Sequence, residues 1–147
     1  MVYDWIFCYK NRKFHIEHVR NPKFPYKLTC ECVTIDKREF EKWILKFSLY
    51  LTQIIDFSRV QEALLDASGG CPGYTSFWYV LVKLFEVKFG FFPIVNDLIE
   101  EALKNIYEDS RFTLIEKLVY GFAYLFALYR IHLLEKKLRV RVVVAQC

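Results

Sequence analysis

The stretch from Leu118 to Tyr129 constrains the fold more than any other segment, because its residues, LVYGFAYLFALY, include no charge. A helix that is apolar on all sides has to be buried by its neighbours. Basic residues then crowd the sequence, in the order Arg130, His132, Lys136, Lys137, Arg139 and Arg141. The segment predicts the central helix of a helical bundle, and its basic end predicts an acidic partner.

A membrane-spanning helix is the alternative interpretation of this segment, since 54% of all residues are hydrophobic. A spanning helix needs about 20 apolar residues, whereas Lys117 and Arg130 confine the uncharged stretch to fewer. The first residues, MVYDWIFCYKNRK, carry Asp4 in place of a basic start and no small-residue cleavage site, unlike a signal peptide. We therefore expect no membrane association and an intracellular location.

Residues 1–35 alternate in hydrophobicity instead of following a helical period. WIFCY and FHIEHV flank the polar residues KNRK, and KLTCECVTI follows two prolines, Pro22 and Pro25. Short alternating stretches between turn residues are typical of strands. The pattern predicts a small β element or an extended arm, with a short helix over WIFCYKNRKFHIEHV as the alternative.

Four helices are predicted between residues 36 and 138. Helix one begins at Asp36, with Glu39 as the reciprocal capping residue and with Ile35 and Phe40 as a hydrophobic staple. It bends near residues 56–58 and ends at Ser68-Gly69-Gly70. Helix two runs from about Thr75 to Phe89 before Gly90, helix three from Pro93 to about Glu108, and helix four from the capping box of Thr113 and Glu116 to Leu138.

Connections of a few residues predict antiparallel neighbours. The predicted fold class is all-α, an antiparallel four-helix bundle over residues 36–138 with a small N-terminal β or extended element (1–35) and a basic C-terminal tail (139–147), in one domain. Large side chains at the centre of helices one and four are expected in its core, namely Phe47, Ile54, Phe122 and Leu125.

Five residues near the N-terminus are of the types that bind zinc or form disulfides, namely Cys8, His15, His18, Cys30 and Cys32. Their spacing matches no common zinc motif, and a strand sends His15 and His18 to opposite faces. We favour buried free thiols and surface histidines, with a zinc site and a disulfide between two of these thiols as alternatives.

Catalytic motifs are equally weak. The loop SGGCPG lacks the Lys-Ser/Thr of a phosphate-binding loop, and Cys71 has no histidine nearby in sequence to activate it. The acids of helix three lack the histidines of a carboxylate metal site, which favours a solvated face for Asp97, Glu100, Glu101, Glu108 and Asp109. We therefore predict no enzymatic activity, no metal and no cofactor.

Charge is unevenly distributed along the chain. Residues 1–35 carry a net +3, residues 36–129 a net −3 and residues 130–147 a net +4. If the two ends lie together, they form one positive face. The residues predicted to bind a partner are Lys10, Arg12, Lys13, Lys136, Lys137, Arg139 and Arg141. For Lys136 and Lys137, a solvated helix end whose cations suit the helix dipole is an equal alternative.

The predicted helices over residues 36–138, rich in Phe and Tyr, combine with basic ends and few Asn, Gln and Met, as in thermophilic proteins. In helix pattern, length and charged ends, the chain resembles the four-helix-bundle family of the two-tailed viruses of hyperthermophilic archaea. That family includes virion proteins and a related inhibitor of host RNA polymerase. No signature motif carries the resemblance, and no family site residue is transferred.

The resemblance implies a non-enzymatic viral protein in the host cytoplasm that binds RNA polymerase in its DNA channel and inhibits transcription. One alternative is a virion structural protein that self-assembles and binds DNA directly. Another is an inhibitor of a different host nucleoprotein complex. The oligomeric state is left open.

Overall fold

The structure, a computed structural model, describes residues 4–9, 12–18, 26–31, 33–90, 97–139 and 142–144, with side chains for 33–90, 100–139, Val142 and Val144. The helices are α1 (Lys37–Ile54), α2 (Phe57–Ala67), α3 (Tyr74–Phe89), α4 (Asp97–Glu108) and α5 (Leu114–Leu138). The strands are β1 (Asp4–Tyr9), β2 (Arg12–His18), β3 (Tyr26–Glu31), β4 (Val33–Ile35) and β5 (Val142–Val144).

The chain divides into two compact units, and the division falls inside α1 and α5. Unit 1 combines residues 1–41 with residues 130–147, and unit 2 comprises residues 42–129. Unit 2 holds most of the helical bundle, and unit 1 holds all five strands. The fold class is confirmed: the molecule is a helical bundle with a small N-terminal β element and a basic tail.

The predicted first helix is two helices in the structure. The bend expected near residues 56–58 is a break at Ile55 and Asp56, after which the Asp56 carboxylate accepts a hydrogen bond from the Arg59 backbone N–H at 3.4 Å. A side-chain acceptor at this position stabilises a new helix start. The bundle therefore has five helices among the described residues where the sequence predicted four.

The prediction that Ile54 is buried is wrong. Ile54 is the last residue of α1 and is 43% exposed, whereas Ile55, the first residue after the helix, is 6% exposed. Because the helix ends between them, the chain turns and the next side chain takes the core position. The other three predicted core residues, Phe47, Phe122 and Leu125, are buried.

Helix α5 is central to unit 2, as the uncharged stretch from Leu118 to Tyr129 predicted. Phe126 lies against Phe47 of α1, with ring centroids 4.7 Å apart. Phe122 lies 6.0 Å from Phe57 of α2 and 5.5 Å from Phe85 of α3. Aromatic pairs at these separations add specific attraction to the burial of their area. One face of α5 therefore packs against three different helices.

Helix α4 covers a further side of α5 and runs antiparallel to it. Leu103 of α4 lies near Gly121 of α5. One turn later in α4, the ring of Tyr107 lies under the ammonium group of Lys117, which is one turn earlier in α5. The opposite order of these contacts fixes the antiparallel direction.

The predicted capping box at the start of α5 and the predicted glycine at the end of α3 are both confirmed. The Thr113 hydroxyl accepts from the Glu116 N–H, and the Glu116 carboxylate accepts from the Thr113 N–H, both at 3.2 Å. Gly90 ends α3 in the left-handed region with φ 65°. A residue with a Cβ is strained at this φ, so glycine is the favoured terminator. The predicted start of helix three at Pro93 lies outside the described residues.

The strands of unit 1 form two sheets. β1, β2 and β3 make an antiparallel sheet in that order, with an irregularity in the β2–β3 register between His15 and Ile16. The predicted β element is therefore confirmed, and the alternative of a short helix over this segment is wrong. β4 and β5 pair in parallel, from Val33 opposite Val142 to Ile35 opposite Val144.

Candidate partner-binding surface

The basic end of α5 is a well-defined helix terminus. Lys136 and Lys137 lie exposed in the last turn, and Leu138 ends the helix. Arg139 follows with φ 56°, and its backbone N–H donates to the Glu135 carbonyl over 2.8 Å. A residue in this left-handed conformation is a common helix terminator. Arg139 therefore lies past the helix, as predicted, and has a defined backbone position.

Strand β5 is held in place by a strand pairing and by a side chain of α5. Val142 is buried at the start of β5, and its backbone N–H donates to a carboxylate oxygen of Glu135 over 3.3 Å. Ile35, in the partner strand β4, is buried as well. Residues 142–144 of the tail thus form an anchored strand, which follows the basic end of α5.

Two further predicted binding residues belong to the N-terminal sheet. Arg12 and Lys13 begin β2, opposite Tyr9 and Cys8 of β1. Lys10 and Arg141 lie outside the described residues. The chain segments that carry these predicted residues all belong to unit 1.

Gathering the two chain ends concentrates positive charge. Unit 1 carries 13 Lys and Arg against 7 Asp and Glu, a net +6, whereas unit 2 carries 8 against 10, a net −2. Lys37 and Arg38 lie in the acidic middle of the linear sequence but belong to unit 1, together with Asp36, Glu39 and Glu41, and both are exposed in the first turn of α1. The two basic ends, +3 and +4 in the linear sequence, therefore share one unit, and the net charges of the units keep the opposite signs that the linear sequence indicated.

Glu135 was not among the functional residues predicted from the sequence. Its carboxylate anchors the tail strand, although an acid near a helix C-terminus is unfavourable to the helix dipole. An acid three residues before the last residue of the helix was the signal that the sequence offered.

Unit 2 carries the acids of α4 as a solvated face. Glu100, Glu101 and Glu108 are exposed, and Glu100 pairs with Lys104 at 3.6 Å on the same helix. Asp109 binds Arg111 through the guanidinium at 2.7 Å and through the backbone N–H at 2.9 Å. These bonds lower the pKa of Asp109 to about 2.

The loop SGGCPG ends α2 and passes the start of α3. Gly69 and Gly70 have φ 72° and 91°, and the Tyr107 hydroxyl donates to the Pro72 carbonyl at 2.6 Å. The pKa of Tyr74, the first residue of α3, is raised mainly by partial burial of the hydroxyl and to a smaller extent by the negative charge of Glu100. The exposed thiol of Cys71 is in this loop. The described contacts are those of a helix end and a packed turn.

The cysteine and histidine residues near the N-terminus lie on three adjacent strands. Cys8 is opposite Lys13, and His15 is opposite Cys30. Cys32 lies outside the described residues. A zinc site and a disulfide among these residues remain hypotheses.

A groove of about 510 Å³ lies at the corner between α1 and α2. It is lined by residues 52–58 and by Ile115 and Val119 of α5, all within unit 2. Polar residues, among them Thr52, Gln53 and Asp56, share this lining with apolar ones.

Comparison of the chain with protein-family models, with curated proteins and with solved structures gives no match. In the part of the chain that the structure describes, no helix is both long and apolar enough to cross a membrane. Within the same part, no group of three or more His, Cys, Asp or Glu residues is placed to hold a metal ion.

Proposed function

We propose that this protein is a non-enzymatic inhibitor that binds host RNA polymerase in its DNA channel and prevents transcription, the activity that the family resemblance implies. The observation that supports the proposal best is the gathering of both basic ends into unit 1, with a net +6 beside −2 in unit 2. Because the two units carry opposite net charges, one protein can bind both an acidic surface and a basic surface.

The charge of each unit suits a different part of such a partner. A channel that holds DNA presents cations to the phosphates. Unit 2 has a net negative charge, with Glu100, Glu101 and Glu108 exposed along α4, and such cationic walls attract it. Unit 1 binds an acidic surface of the same enzyme, and charge complementarity of this kind raises the association rate and fixes orientation.

Inhibition by this route is steric and needs no reaction. The 16 residues of α5 that belong to unit 2, residues 114–129, span about 24 Å at 1.5 Å per residue. Its aromatic contacts with α1, α2 and α3 make unit 2 a densely packed body. A body of this length in the channel excludes the DNA template.

The test is promoter-directed transcription with purified archaeal RNA polymerase, adding the protein before or after the template. We expect strong inhibition when the protein is added first and weak inhibition once the template is loaded. The variant Lys136→Glu/Lys137→Glu is expected to lose inhibition, because it reverses two exposed charges in unit 1.

The matched control is Lys83→Glu/Lys88→Glu, which makes the same change of charge on exposed residues of α3 in unit 2. This variant should keep its activity. Full transcription at saturating wild-type protein, with no polymerase co-migrating in size-exclusion chromatography, would refute the proposal.

A second candidate function is a virion protein that binds DNA directly, and the net +6 of unit 1 favours it. Binding through phosphate contacts weakens steeply as salt rises, with a slope proportional to the number of contacts. Tight binding to naked duplex DNA with such a slope, together with no effect on transcription, would select this role.

A further inference from the structure

Helix α1 exposes two leucines on successive turns, beside its buried face. Leu45 is 57% exposed and Leu49 is 70% exposed. At about 3.6 residues per turn, Lys42 lies on the same face, one turn before Leu45. Single exposed leucines are ordinary on protein surfaces, but here two adjacent leucines lead toward the groove at the α1–α2 corner.

The residues along this face are arranged symmetrically about Leu49. Lys42 precedes Leu49 by seven residues, and Asp56, which lies two residues past the end of α1, follows it by seven. Leu45 precedes Leu49 by four residues, and Gln53, in the groove lining, follows it by four. A two-fold interface needs this property, because residue i of one copy contacts residue j of the other and the reverse contact forms as well.

We propose that two copies of this protein associate through α1, antiparallel and with the two-fold axis beside Leu49. Each Leu49 then lies against its counterpart, and each Leu45 enters the mouth of the other copy's groove. Each Lys42 ammonium reaches the other copy's Asp56 carboxylate.

Charge and shape both select a second copy as the occupant of this face. The Asp56 side chain is 62% exposed and pairs with Arg59 at 3.5 Å, so it remains open to a further cation. A leucine side chain fits the apolar part of the groove, formed by Ile54, Phe57, Ile115 and Val119. One helix pair buries a small area, so we expect a reversible dimer.

This dimer does not rest on the proposed polymerase binding, because its residues lie on α1 and at the α1–α2 corner, whereas that proposal uses the acids of α4 and the basic ends. Its consequence is a particle with two basic units, which increases apparent affinity for a partner that both can reach.

Sedimentation velocity of the full chain over a range of concentrations tests the proposal. The wild type should change from monomer to dimer as concentration rises, and Leu49→Glu should raise the dissociation constant by roughly tenfold or more. Val87→Glu is the matched control, because Val87 is 80% exposed on α3 and should leave the dimer unchanged. A wild type that stays monomeric throughout, or equal effects of the two variants, would overturn the proposal.

Charge reversal and cross-linking test the register. Lys42→Glu should weaken the dimer, and Lys42→Glu/Asp56→Lys should restore it, with circular dichroism showing that both variants are folded. Under oxidation, Leu49→Cys should give a covalent dimer absent from the wild type and from Val87→Cys. Failure of Leu49→Cys to cross-link, or of the double variant to recover, would overturn the antiparallel arrangement.

Discussion

The backbone N–H of Val142 donates a hydrogen bond to the Glu135 carboxylate over 3.3 Å. The bond crosses the turn after α5 and joins the helix to the start of β5. Because Lys136, Lys137 and Arg139 lie between these two residues, the same bond limits the positions that the basic residues adopt.

The variant Glu135→Ala tests this anchor, and two effects predict opposite signs. Removing an acid from the last turns of a helix relieves repulsion with the dipole and stabilises the helix by a few tenths of a kcal/mol. Losing a hydrogen bond to a charged acceptor destabilises by about 1–3 kcal/mol. We expect net destabilisation in urea unfolding and faster tryptic cleavage at Arg139.

Glu135→Gln keeps an acceptor oxygen and should lie between the wild type and Glu135→Ala. Glu101→Ala, on the exposed face of α4, should leave the cleavage rate unchanged. If Glu135→Ala is more stable than the wild type, the carboxylate does not anchor the tail.

Gly121→Ala is predicted to destabilise the protein although alanine is the better helix former. A Cβ at this position would lie 2.8 Å from Leu81 Cδ1 and 3.3 Å from Phe77 Cζ, both fully buried side chains. Overpacking costs about 1–3 kcal/mol, against about 1 kcal/mol gained in helix propensity. Thermal unfolding should show a lower melting temperature, and Gly121→Ala/Leu81→Val should recover part of the loss.

Phe122→Ala is predicted to be among the most damaging single changes in unit 2. The ring is fully buried and contacts Phe57, Phe85 and Phe89. Its truncation should cost about 3–5 kcal/mol in unfolding free energy. Val87→Ala, at an exposed position, should change stability by less than about 0.5 kcal/mol. Similar denaturation midpoints for the two variants would contradict the central position of α5.

The turn between α4 and α5 should make stability depend on pH. The bonds from Arg111 lower the pKa of Asp109 to about 2, so the folded state favours the ionised carboxylate. The contribution is complete above the ordinary aspartate pKa and is lost as pH falls toward about 2. Asp109→Asn should therefore lower the melting temperature at neutral pH and have little effect near pH 2. A difference that is constant with pH would exclude this ionisation as the cause.

Local signals predicted the helix ends well, because capping depends on neighbouring residues. Thr113 and Glu116 form their reciprocal hydrogen bonds, and Gly90 adopts the left-handed conformation. The burial of Ile54 was predicted wrongly because helical periodicity was extended through a break. Only the position of that break decides whether Ile54 or Ile55 reaches the core.

Long-range pairing could not be derived from the local pattern. β4 and β5 are three-residue strands, and short valine-rich segments do not specify a partner. β4 is followed by Lys37 and Arg38, and β5 follows the basic residues at the end of α5. The parallel pairing of β4 with β5 therefore joins these two basic parts of the chain. The assignment of basic residues to the ends was sound, but their gathering into one unit depends on contacts between distant segments.

The pairing of Val33 with Val142 also has a consequence for synthesis. β4 precedes all five helices and β5 follows them, with partners 109 residues apart. Closing so long a loop has a high entropic cost until the intervening helices are formed. A nascent chain can therefore fold the helices of unit 2 while the strand pair of unit 1 is still incomplete. The order of translation thus delays completion of the basic unit until the bundle is present.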